Sequence, residues 1–101
     1  MEKGLFNITE AGTTTLIPIY GESGNVRSIS LANTSSLEII VDLFLQDSIG
    51  QNTYIIKTAI PSNVTLVLDD DMSFDNSVLG LILTTTAGSL STSTPLSIII
   101  K

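Results

Sequence analysis

From residue 37 to residue 46 the chain alternates strictly: Leu37, Ile39, Val41, Leu43 and Leu45 fall on one side, and Glu38, Ile40, Asp42, Phe44 and Gln46 on the other. A period of two over so many residues predicts a β-strand, because a helix would space its apolar positions three and four apart. Similar runs recur along the chain with turn residues between them. The pattern predicts further strands over residues 13–20, 26–33, 53–60, 64–68, 78–86 and 95–100. Pro18 marks residues 13–20 as an edge strand or a bulged one, since proline cannot donate to a ladder. Asp47 to Asn52 reads as a hairpin loop in which Gly50 is free to take positive φ. Pro61-Ser62-Asn63 and Asn33 to Ser36 read as tight polar turns. Arg27 opens the strand at 26–33 and shares the parity of Ile29 and Leu31; a surface ion pair with Glu22 or an aspartate accounts for it, with a subunit contact as the alternative.

Seven strands at this spacing predict an all-β fold, a single small antiparallel β-sandwich of immunoglobulin-like or jelly-roll-like type. Residues 11–101 form the one domain, and residues 1–10 read as an N-terminal arm. The outward sides of the strands are unexpectedly apolar. Ile40, Phe44, Ile55, Val67, Ile82 and Ile99 each lie opposite an apolar set. Left exposed, they would make a larger patch than lone soluble domains usually show. They are therefore the predicted interface, to other copies of the chain or to another protein.

Composition narrows the chemistry. The chain has 101 residues and 43% hydrophobic residues, nearly all aliphatic; it has no tryptophan and only five aromatic side chains. Thirteen serines and thirteen threonines suit pleated surfaces. Histidine and cysteine are absent. That removes the commonest general base, the thiolate nucleophile and the cysteine zinc site. A nucleophilic serine would have to rely on a lysine, and there is no Gly-x-Ser-x-Gly elbow and no phosphate-cradling glycine loop. The reading is that the chain is not an enzyme and carries no cofactor. Net charge is −6, with Lys3, Arg27, Lys57 and Lys101 the only cations. No basic footprint exists for nucleic acid, and an anionic membrane is disfavoured for the same reason. No apolar run approaches the length of a spanning helix, and MEKGLFNITEAG lacks a signal-peptide pattern.

Asp69, Asp70, Asp71 and Asp75 are the one dense set of hard oxygen ligands and the weak candidate for calcium. Their spacing does not match an EF-hand, and a solvated acidic turn, with Asp75 or Ser73 as a cap, accounts for them better. Asn7, Asn33 and Asn63 each begin an Asn-x-Ser/Thr triplet, which a chain so rich in serine and threonine produces by chance.

The runs VRSISLANTSSLEIIVDLFLQD, TYIIKTAIPSNVTLVLDDDMSFDNS, LILTTTAG and LSIIIK resemble small virion structural proteins of tailed bacteriophages, mostly of marine hosts. The S-I-S-L-x-N-T strand and turn, the V-D-L-F-L-Q-D strand, the I-I-K…I-P…T-L-V-L-D-D hairpin and the following F-D pair carry the resemblance. It covers about residues 7–101. It implies an immunoglobulin-like sandwich mounted on capsid, neck or tail: a non-enzymatic decoration, cement or accessory protein, made in the host cytoplasm and located in the virion. Its partners would be other copies of itself, as a homo-oligomer, and other virion proteins. No set of functional residues transfers with it. Two alternatives are a host-surface carbohydrate-binding module on a tail or fibre, for which Tyr20 and Tyr54 are the only plausible stacking platforms, and a calcium-stabilised adhesion domain.

Overall fold

A computed structural model describes residues 4–19, 25–69, 71–75, 77–86, 90–91 and 93–101. Its strands are β1 (Gly4–Ile8), β2 (Gly12–Ile17), β3 (Asn25–Val26), β4 (Ile29–Asn33), β5 (Ile39–Asp47), β6 (Asn52–Ile60), β7 (Thr65–Leu68), β8 (Met72–Ser73), β9 (Leu79–Thr86) and β10 (Leu96–Ile100). Among the described residues there is no helix. Two four-stranded antiparallel sheets form the sandwich: sheet A in the order β1-β10-β4-β7 and sheet B in the order β2-β9-β5-β6. β3 and β8 make a separate two-stranded ribbon.

Six of the seven predicted strands are present with ends shifted by a few residues, and the seventh, at 26–33, is split in two. The core lies where their alternation placed it. Leu31, Leu96, Ile98 and Ile100 of sheet A meet Ile39, Val41, Leu43, Leu81 and Leu83 of sheet B, all 1% exposed or less. Burying each such aliphatic side chain stabilises the fold by about 1.5–3 kcal/mol. β2 is an edge strand with a bulge between Thr15 and Ile17, as Pro18 foretold. The β5–β6 hairpin turns at Gly50, whose φ is 90°. There the Asp47 carboxylate accepts from the amides of Ile49 and Gln51.

Four details differ from the sequence reading. The expected arm is not free along its described part: Gly4–Ile8 pairs with β10, and Ile8 joins the core. Residues 26–33 do not form one strand. The amides of Arg27 and Ser28 both donate to the Lys101 carbonyl, and this bend separates β3 from β4. Leu37 lies outside β5 and is 55% exposed, because its carbonyl is held by the side chains of Asn33 and Ser35 in a bend that ends before the strand begins. The segment after β7 contains the short strand β8, which pairs Met72 with Val26.

One end of the sandwich is tied by a buried polar knot. Asn33, 1% exposed, donates from Nδ2 to the carbonyls of Leu37 and Ile60 at 2.9 Å and of Pro61 at 3.2 Å. Its Oδ1 accepts from the amide and hydroxyl of Ser35, and Ser62 donates to the Ser35 carbonyl. Asn63, at φ 62°, closes the turn by donating to the Asn33 carbonyl. The knot joins β4 of sheet A to the end of β6 in sheet B. It also places the Asn33 side chain beyond the reach of a glycan.

Candidate functional site

The six predicted interface residues do not form one patch. Val67 and Ile99 lie on the outer face of sheet A, and Ile40, Phe44 and Ile82 on that of sheet B. Ile55 sits in a bulge at the edge of sheet B.

On sheet A the cross-strand register aligns Leu5, Ile99, Ser30 and Val67 in one row and Asn7, Ser97, Ala32 and Thr65 in the next. Leu5 is 65% exposed, Val67 55% and Ile99 38%. None of these eight outward residues is charged, in a chain with fourteen charged side chains. Leu5 was not foreseen, because its strand had been read as an arm. The signal that finds it is its pairing with Ile99.

Sheet B treats its outward apolar residues differently. Phe44 is only 5% exposed and Ile82 only 8%, so neither is available to a partner. Their row runs Thr15, Ile82, Phe44, Tyr54, with the Tyr54 ring tilted against Phe44 at 5.3 Å between centroids. Lys57 lies over the Tyr54 ring, 4.3 Å from its centre, and 3.9 Å from the Asp42 carboxylate. Bulky neighbours in this row bury what parity alone leaves outside. Ile40 stays 45% exposed, set between Thr86 and Ala59. Tyr54 thus serves as cover for Phe44, with its ring engaged by Lys57; Tyr20 lies outside the described residues.

The bulge in the β5–β6 ladder falls between the pairs Leu43–Ile56 and Phe44–Tyr54 and leaves Ile55 without a cross-strand partner. Ile55, 37% exposed, lines a recess of about 230 Å³ with Val26, Ile29, Leu68 and Met72, and Asp71 is the one charged residue among the walls. Arg27 and Asn25 line an adjoining crevice that shares Val26, Asp71 and Met72 with the recess.

Among the described residues no three acidic side chains come together in a way that would hold a metal ion. Asp70 lies outside those residues. Asp75 accepts from the amide and hydroxyl of Ser77, and its carbonyl accepts from the amides of Val78 and Leu79. These bonds to Ser77 hold its carboxyl below the usual aspartate range, the hydroxyl contributing most. Every buried side-chain polar atom among the described residues has a hydrogen-bond partner.

The fold defines an all-β, two-sheet sandwich. No protein-family model matches the chain, and no curated protein sequence matches it. Among solved structures it is similar to the Anabaena sensory rhodopsin transducer, with 12% identity and a TM-score of 0.46 over 100% of this chain and 96% of that one. It is also similar to PirA, with 16% identity and a TM-score of 0.47 over 96% of this chain and 81% of that one.

Proposed function

We propose that this chain is a non-enzymatic structural protein of a virus particle, a capsid decoration or accessory subunit made in the host cytoplasm. In this reading it associates with copies of itself and with other virion proteins through the outer face of sheet A. The observation that carries the assembly part is that face: Leu5, Ile99 and Val67 stand exposed in a field of serine, threonine, alanine and asparagine with no charge. Surfaces that stay in water usually intersperse charges to prevent association. An acidic protein that self-associates needs an uncharged area where like charges do not meet. The support for the virion part is the sequence pattern shared with phage structural proteins.

Mass spectrometry of purified particles from the source of the chain tests this reading. A copy number near that of the main shell protein is expected for a decoration role, and a small definite number for a neck or tail position. Absence from particles overturns it.

A further inference from the structure

The sandwich has four edge strands, and three of them are blunted. β7 has four residues. β2 is broken by its bulge and followed by Pro18. β1 has five residues. β6 is longer. It runs for nine residues, its own bulge at Ile55 leaves Ile56–Ile60 regular beyond it, its first four residues are exposed, and no described strand pairs with its outer side. A lysine commonly guards such an edge. Here Lys57 is drawn across the face of sheet B to Asp42 and Tyr54 and so does not stand guard.

The recess beside Ile55 opens next to this edge. At about 230 Å³ it is smaller than the roughly 300–1,000 Å³ typical of small-molecule sites. It suits one large side chain. Its walls are aliphatic apart from Met72 and Asp71, and exposed Asp69 follows Leu68 along the chain. We propose that the outer edge of β6, together with this recess, is a strand-addition site for an extended segment of another protein that carries one large aliphatic residue and, two positions away on the same face, a lysine or arginine. The main chain of the segment would extend sheet B, its aliphatic side chain would fill the recess, and its cation would meet Asp71. Recognition of this kind takes affinity from main-chain hydrogen bonds and specificity from a side-chain pocket. Asp71 and Asp69, offset in part by Arg27 in the adjoining crevice, favour a basic segment over a second copy of this chain, whose net charge is −6. The site is separate from the outer face of sheet A and does not depend on the role proposed for that face.

Short synthetic peptides alternating threonine and valine, with one leucine and one lysine two positions apart, provide the probe for the full chain. Binding is expected to weaken by roughly tenfold or more when the leucine becomes alanine, when the lysine becomes glutamate, or when the amides facing β6 are N-methylated. Ile55→Asp should abolish binding, and Leu5→Asp, on the edge strand of sheet A opposite β7, should not change it. Hydrogen exchange should show β6 amides gaining protection with peptide. The proposal is overturned if no such peptide binds, if the N-methylated peptides bind equally well, or if β6 gains protection without peptide as protein concentration rises. The N-methyl comparison uses the unaltered protein, so it holds even if the Ile55 variant fails to fold.

Discussion

The outer faces of the two sheets carry similar numbers of apolar residues and treat them in opposite ways. Sheet B assembles a second, shallow layer on its outside, where Phe44 and Ile82 are as buried as parts of the core and Tyr54 and Lys57 lie over and beside them. Sheet A leaves Leu5, Ile99 and Val67 standing apart on a face of short side chains. An apolar residue on the solvent side of a strand is therefore no sign of an interface until its cross-strand neighbours are known. Long and ring-shaped neighbours bury it within the monomer, and small ones leave it to a partner.

The sharpest test of this contrast is to remove one residue from each face. Phe44→Ala should destabilise the protein by about 3–4 kcal/mol, as a core truncation does. Val67→Ala should stay within about 0.5 kcal/mol. Urea denaturation monitored by circular dichroism reads both, and equal effects would break the comparison. Asn33→Ala should cost about 2–3 kcal/mol, because it removes the bonds that the buried Ile60 carbonyl and the Ser35 amide make to the Asn33 side chain at the junction that sets one sheet against the other. Tyr54→Ala should cost about 1–1.5 kcal/mol in the same assay, through lost ring contact with Phe44. The double change Ile99→Ser with Val67→Thr should leave folding within about 0.5 kcal/mol. On the proposed role of sheet A it should nevertheless weaken self-association by roughly tenfold in sedimentation, a readout that folding alone would not move. The smallest effect belongs to Asp75, which is fully exposed. Its carboxyl is held below its unfolded value, so its contribution is present above the ordinary aspartate range near about pH 4 and is lost as pH falls through the lowered value. Asp75→Asn should remove that part of the acid dependence of the denaturation midpoint.

The sequence was most legible where alternation ran long. Residues 39–45 announced both their strand and the face that enters the core. Pro18 and Gly50 announced an edge and a turn, because each has a backbone property that only certain positions accept. Legibility failed where geometry depends on residues far away in the chain. Leu5 belongs to a strand only through Ile99, and Gly4–Ile8, with Leu5 and Phe6 adjacent, shows no clean alternation by which to declare itself. Phe44 is buried because Tyr54 and Ile82 flank it, and no local rule reports that register. Ile55 cannot be assigned a face from parity, because the bulge suspends the alternation that parity assumes. Asn33 looked like part of a turn, and its neighbours looked like a glycosylation signal. That it instead satisfies three carbonyls depends on the position of the Ile60–Pro61 turn.

The pairing of β1 with β10 has a consequence for how the chain is made. Asn7 and Ser97, hydrogen-bonded across that pair, are 90 residues apart, and β10 lies between β1 and β4. On the ribosome the first strand of sheet A therefore emerges long before its only neighbour in the sheet. Sheet B has all its strands by Thr86, whereas sheet A stays in two unconnected pieces until the segment through Ile100 clears the exit tunnel. Such late closure holds back folding until nearly all of the described strands are made, and the half of the molecule that waits is the half whose two outward rows carry no charge.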